Sequence, residues 1–111
     1  MAKPALNPSE RALGTYRANR TQGSRSVGGH LLLTDQRVLF DPHKLDSATG
    51  GTAWECSLTS ITGVGMAARG SNPFNGSLRR RLRIACGESA EHFVVNKGHA
   101  IVSAIQQAAR G

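Results

Sequence analysis

Aromatic side chains are scarce in this chain: three Phe, one Tyr and one Trp among 111 residues. Proteins that stack nucleic-acid bases need exposed rings, and so few, mostly at core-type positions, set nucleic acid behind other partners. Carboxylates are also few, seven Asp and Glu against fourteen Lys and Arg. They are scattered one at a time, which leaves general acid–base chemistry without a home. There is no Gly-x-Ser-x-Gly elbow and no phosphate-loop lysine, and His30, His43, His92 and His99 do not stand at metal-ligand spacing. The expectation is a chain that is not an enzyme and needs no cofactor or metal. No apolar run approaches the roughly 20 residues of a membrane-spanning helix. The opening residues 1–8, interrupted by Pro4 and Pro8, lack the apolar stretch of a secretory signal. The expected setting is therefore the cytoplasm, with the inner face of the membrane as its periphery. Two cysteines cannot staple a disulfide-dense scaffold. Cys56 and Cys86 are expected as reduced, buried, small hydrophobes, a bond between them being the alternative that a cytoplasmic setting opposes.

What is present is a pattern of short runs. Leu, Ile, Val and Phe make up 23 of the residues, enough for one small core and a single domain. Residues 1–10 carry two prolines and no periodicity and read as a flexible lead-in; 11–111 form the domain. Strands are expected over 12–19, 27–34, 37–41, 52–58, 61–68, 78–86 and 92–96, with polar loops at 20–26, 41–51 and 69–77. Thr52, Trp54, Cys56 and Leu58 alternate with Ala53, Glu55 and Ser57, the period of a half-buried strand in which Trp54 belongs to the core. Gly28 and Gly29 precede a strand and not a helix, so they give a curved strand its freedom and do not cradle phosphate. Only the end of the chain has helical spacing. Ile101, Ala104, Ile105 and Ala108 form one apolar stripe, with Asn96 as the expected N-cap.

Seven strands followed by one helix is the element order of the pleckstrin-homology superfold. Two blocks are more specific. Gly28-Gly29-His30-Leu31-Leu32-Leu33-Thr34-Asp35-Gln36-Arg37-Val38-Leu39-Phe40 resembles the core of the GRAM family. Trp54-Glu55-Cys56-Ser57-Leu58-Thr59-Ser60-Ile61-Thr62-Gly63-Val64 looks like that family's Trp strand and the turn after it. The resemblance implies a mainly β, α+β fold: a partly open, seven-stranded antiparallel barrel capped by one C-terminal α-helix. It also implies a binding module for membrane phospholipids or protein segments. Fold alone does not choose between them.

The net charge of +7 is unevenly spread. It gathers in residues 1–25 and 56–87, the second of which contains five arginines and no acid. Within 78–86, Leu78, Leu82, Ile84 and Cys86 share one face with Arg80 among them, and Arg79, Arg81 and Arg83 share the other, a row of guanidinium groups that can each fork onto phosphate or carboxylate. Arg20 and Arg25, with Arg17, flank the first hairpin loop and extend the patch if the fold brings them near. Phe74, in a Gly/Asn-rich loop beside these arginines, is a candidate to insert into a membrane interface or a partner pocket. The expected ligand is an anionic phospholipid membrane surface, bound weakly through Arg20, Arg25, Arg79, Arg81, Arg83 and Phe74. The alternatives are an acidic protein partner, with self-association into a homo-oligomer among them, and, least favoured, nucleic acid. A solvated face that blunts a sheet edge is the competing account of the same arginines.

Overall fold

The computed structural model describes residues 6–23, 25–43, 50–67 and 80–110. Phe74 and Arg79 lie outside them. The chain forms β1 (Ala12–Gln22), β2 (Arg25–Thr34), β3 (Arg37–Pro42) and β4 (Trp54–Ser57), then a 3-10 turn (Leu58–Ser60). After it come β5 (Ile61–Ala67), β6 (Arg81–Cys86), β7 (Ser89–Val95) and the helix α1 (Gly98–Arg110). All seven strands join one antiparallel sheet in the order β4-β3-β2-β1-β7-β6-β5. β4 and β5 are neighbours in sequence yet form its two opposite edges. The sheet curls, bringing the Trp54 ring of β4 within 5.5 Å of the Phe93 ring of β7. The fold class matches the expectation: an open seven-stranded antiparallel sheet with one C-terminal helix.

Alternation explains the curl. In β2, Val27, Gly29, Leu31 and Leu33 are buried while Gly28, His30 and Leu32 face outward and stay partly exposed. Val38 and Phe40 of β3, Leu82 and Ile84 of β6, and Phe93 and Val95 of β7 complete the inner set. Ile101 and Ile105, one turn apart on α1, close the same cluster. The helix packs on β5 and β6. Gly29 is required by close approach and not by an unusual φ: a Cβ there would strike the Asp41 carbonyl, and the Phe40 ring and Pro42 Cα would lie 2.8 Å from it.

Several local expectations are corrected. Residues 20–26, read as a loop, are mostly strand: β1 and β2 pair down to Gln22↔Arg25, with Gly23 in the left-handed region at φ 61. The ladder satisfies the backbone whatever the polarity of the side chains, so polar composition did not mark a loop. β7 starts at Ser89 and not at residue 92, because the turn at Gly87 (φ 62) is tight enough to pair Cys86 with Ser89. The helix starts one residue beyond the expected cap. Lys97, at φ 56, accepts the first backbone bonds from Ala100 and Ile101. Gly98 lets the helix start rest against Met66, whose Sδ would stand 2.6 Å from an added Cβ.

The cysteines are the largest correction. Cys56 and Cys86 are disulfide-bonded, with Cα atoms 6.1 Å apart. They lie 30 residues apart in sequence, on strands that share no hydrogen bonds, so only the curl of the sheet reveals the pairing.

Candidate anion-binding face

The outward rows of β6 and β7 follow from the inward burial of Leu82, Ile84 and Phe93. Arg81 and Arg83 must then point away from the core, Arg83 exposed and Arg81 partly so. Register sets their surroundings. Arg83 stands opposite His92 of β7 on one side and Gly65 of β5 on the other. Arg81 stands opposite Ala67 of β5, and its Nη1 donates to Thr21 Oγ1 at 3.1 Å. The Arg81 Nε is buried and has no hydrogen-bond partner among the described residues. None of these cross-strand neighbours is acidic. The positive field is felt by His92, whose pKa is lowered first by partial burial and then by the charges of Arg81 and Arg83.

Beside this row, an open groove of about 520 Å3 crosses the outer face of β2, β1 and β7. Arg17, Asn19, Ser26, His43 and Asn96 supply its polar lining, and the missing side chain of Gly28 leaves room at its floor. Among the described residues, no carboxylate lines it. The arrangement can hold an oxyanion by charge and side-chain donors.

The remaining arginines of the expected patch sit elsewhere. Arg20 shares the inward parity of Tyr16 and Ala18 and is mostly buried at one end of the curled sheet. Its Nε donates to Glu91 Oε1 at 2.6 Å, and its Nη1 donates to the carbonyl and hydroxyl of Thr52 at 3.0 and 2.9 Å. Its charge is already answered by Glu91. Arg25 is exposed at the start of β2, beside Gly50, and not on the Arg81–Arg83 row. Sequence spacing passed over His92 and Asn19. Their signal is cross-strand register, which places Asn19 against Val94 once β1 is known to pair with β7, and His92 against Arg83 once β6 is known to pair with β7.

A second charged cluster shows the contrasting arrangement. Glu10, in the stretch read as a lead-in, has a fully buried side chain. It accepts hydrogen bonds from Arg37 Nε (2.8 Å) and Nη2 (3.0 Å), from Thr34 Oγ1 (2.6 Å) and from the Asn7 backbone N–H (3.0 Å). The Arg37 hydrogen bonds outweigh the cost of burial and hold the Glu10 carboxyl at a pKa of about 2. Arg37 also donates to the exposed Glu55 at 3.0 Å.

No protein-family model matches the chain, and no curated protein matches its sequence. Solved structures do match its shape. The C-terminal domain of an unknown protein from Leishmania infantum is 12% identical with a TM-score of 0.68, covering 92% of this chain and 86% of that one. The N-terminal PH domain of Vps36 is 14% identical with a TM-score of 0.70, covering 97% and 85%. The hSac2 domain from the human phosphoinositide phosphatase Sac2 is 15% identical with a TM-score of 0.67, covering 95% and 73%. At such identities the likeness is one of architecture, and the chain has the pleckstrin-homology-like fold.

Proposed function

We propose that this protein is a non-enzymatic binding module of the GRAM kind that associates weakly with anionic phospholipid membranes through the outer face of β6. The observation that carries the reading is the uncompensated charge of Arg83 and Arg81. Both point outward, and their cross-strand neighbours, Gly65 and His92 for Arg83 and Ala67 for Arg81, are not acidic. A groove over β2, β1 and β7, with no carboxylate among its described lining residues, holds Arg17. One structural neighbour is a domain of a phosphoinositide phosphatase, which favours a lipid surface over a peptide. Each basic residue near an anionic surface contributes about 1 kcal/mol. Three give about 3 kcal/mol, an attachment that holds at low ionic strength and falls away as salt screens it.

Sedimentation with phosphatidylserine-containing vesicles across a salt series tests this. Binding to these vesicles and not to phosphatidylcholine alone is expected, and R81E/R83E should lower it at least about 30-fold, the loss of two contributions of about 1 kcal/mol each. Equal binding of the variant and the parent would end the proposal. A protein-binding adaptor, homodimeric among its forms, is the second reading. It is favoured by the edge strand β5, whose residues Ile61–Val64 border an open groove against the end of α1 at Gln106, Ala109 and Arg110. A dimer in sedimentation equilibrium with no vesicle binding would select it. The membrane side follows from the cystine. Disulfides persist in oxidising compartments and are rare in the cytosol, so thiol titration of protein taken directly from its cells decides between the cytoplasmic setting and an oxidising one.

A further inference from the structure

We propose that the Cys56–Cys86 bond is a reversible thiol–disulfide site that holds the open seam of the sheet shut. The sheet has two places where its halves meet. At one, β1 and β7 are hydrogen-bonded through Ala18–Arg20 and Phe93–Val95. At the other, β4 and β5 are edges that do not pair. The cystine crosses that seam, from the middle of β4 to the end of β6. β4 is only four residues long and otherwise pairs with β3, from Arg37↔Ser57 to Phe40↔Trp54, with its flanks held by Thr52 on Arg20 and Gln22 and by the Leu58 N–H on the Gln36 carbonyl. The inner side chains of this edge are Trp54, against Phe93, and Leu58, which belongs to the core cluster. Cutting the bond therefore frees the strand that covers one side of the core.

The two sulfurs are unequally reachable. Cys56 is 2% exposed, whereas Cys86 is partly open at the end of β6. A dithiol reductant attacks at Cys86: its thiolate forms a mixed disulfide with Cys86 Sγ as the Cys56 thiolate leaves and takes a proton. The second thiol of the reductant then displaces Cys86, so the protein ends as two thiols and the reductant as a disulfide. Oxidation by a disulfide of the same class runs the sequence backward. The seam is closed in the oxidised protein and released in the reduced one.

Hydrogen exchange on the full chain, with and without dithiothreitol, tests the inference. Protein prepared in air should show no free thiol when denatured. On reduction the melting temperature should fall by about 10 °C or more, the loss expected for a crosslink closing a loop of this size. Amides of β4 and of Leu58–Ser60 should exchange at least tenfold faster, while those of the β1–β7 joint keep their protection. C56S/C86S should reproduce the reduced pattern, and where that variant does not fold the reduced parent supplies the measurement. Two free thiols in the air-prepared protein would overturn the site. Uniform acceleration of all amides, or none, would overturn the seam.

Discussion

Arg37 and Arg83 are both arginines on outward positions of β-strands, and the fold treats them oppositely. Arg37 is enclosed by Glu10, Thr34 and Glu55, and its side chain keeps 17% of its exposure. Arg83 is exposed, opposite a histidine and a glycine. The first cluster ties the chain before β1 to the β2–β3 turn, where Asp35 also accepts from the Arg11 N–H at 3.0 Å. The second has no acidic residue opposite it on β5 or β7. The difference teaches that an arginine's role here is set by whether a carboxylate is delivered to it from far along the chain. Glu10 reaches Arg37 over 27 positions and Glu91 reaches Arg20 over 71.

The sharpest way to break the contrast is to remove the carboxylate from the enclosed cluster. Glu10→Gln leaves the Arg37 guanidinium partly buried without its main counter-charge and should cost about 2–4 kcal/mol in urea denaturation. A change under about 0.5 kcal/mol would mean the cluster is dispensable. The same group predicts an acid limb. The folded pKa of about 2 lies below the ordinary 4.5, so the folded state binds fewer protons between these values. The stabilisation is complete above pH 4.5 and drains away as the pH falls toward 2. Glu10→Gln should flatten that limb, and an unchanged slope would assign it to other carboxylates.

Arg20 offers an intermediate case. It was grouped with the membrane-facing arginines by its place in the sequence, but it is held by Glu91 and Thr52. Arg20→Gln should cost about 1–2 kcal/mol of stability, as expected for a mostly buried, hydrogen-bonded charge pair, while changing vesicle affinity less than about twofold. A loss of vesicle binding matching that of R81E/R83E would erase the distinction between paired and unpaired arginines.

The smallest effect concerns His92. Since Arg81 and Arg83 both lower its pKa, Arg83→Ala should raise it in an NMR titration, and anionic vesicles should move it the same way. With a folded pKa below that of the unfolded chain, His92 favours folding at neutral pH and opposes it progressively as the pH falls below about 6.5. A His92 titration indifferent to Arg83 would show that burial alone sets its value.

Much of the fold was legible because alternation is local. Leu31, Leu33, Val38 and Phe40 fall on one face whatever the rest of the chain does, and Ile101 and Ile105 do so at helical spacing. The turn edges were less so: residues 20–26 look like a loop because their side chains are polar, yet their backbone pairs as strand. Of the candidate site, the outward sense of Arg81 and Arg83 follows from the apolar residues between them. The partners of Arg20 and Arg37 and the mate of Cys56 do not follow from any spacing.

The sequence by itself determined the order of strands and helix, the inner and outer faces of each strand, and a strong excess of positive charge. These depend on periodicity and composition, which are read within a few residues. The tertiary structure alone decided which arginines are neutralised, which pair of strands the cystine joins and where the groove beside Arg17 opens. Those outcomes depend on contacts between segments tens of residues apart, and such contacts exist only after the sheet has curled and its register is set.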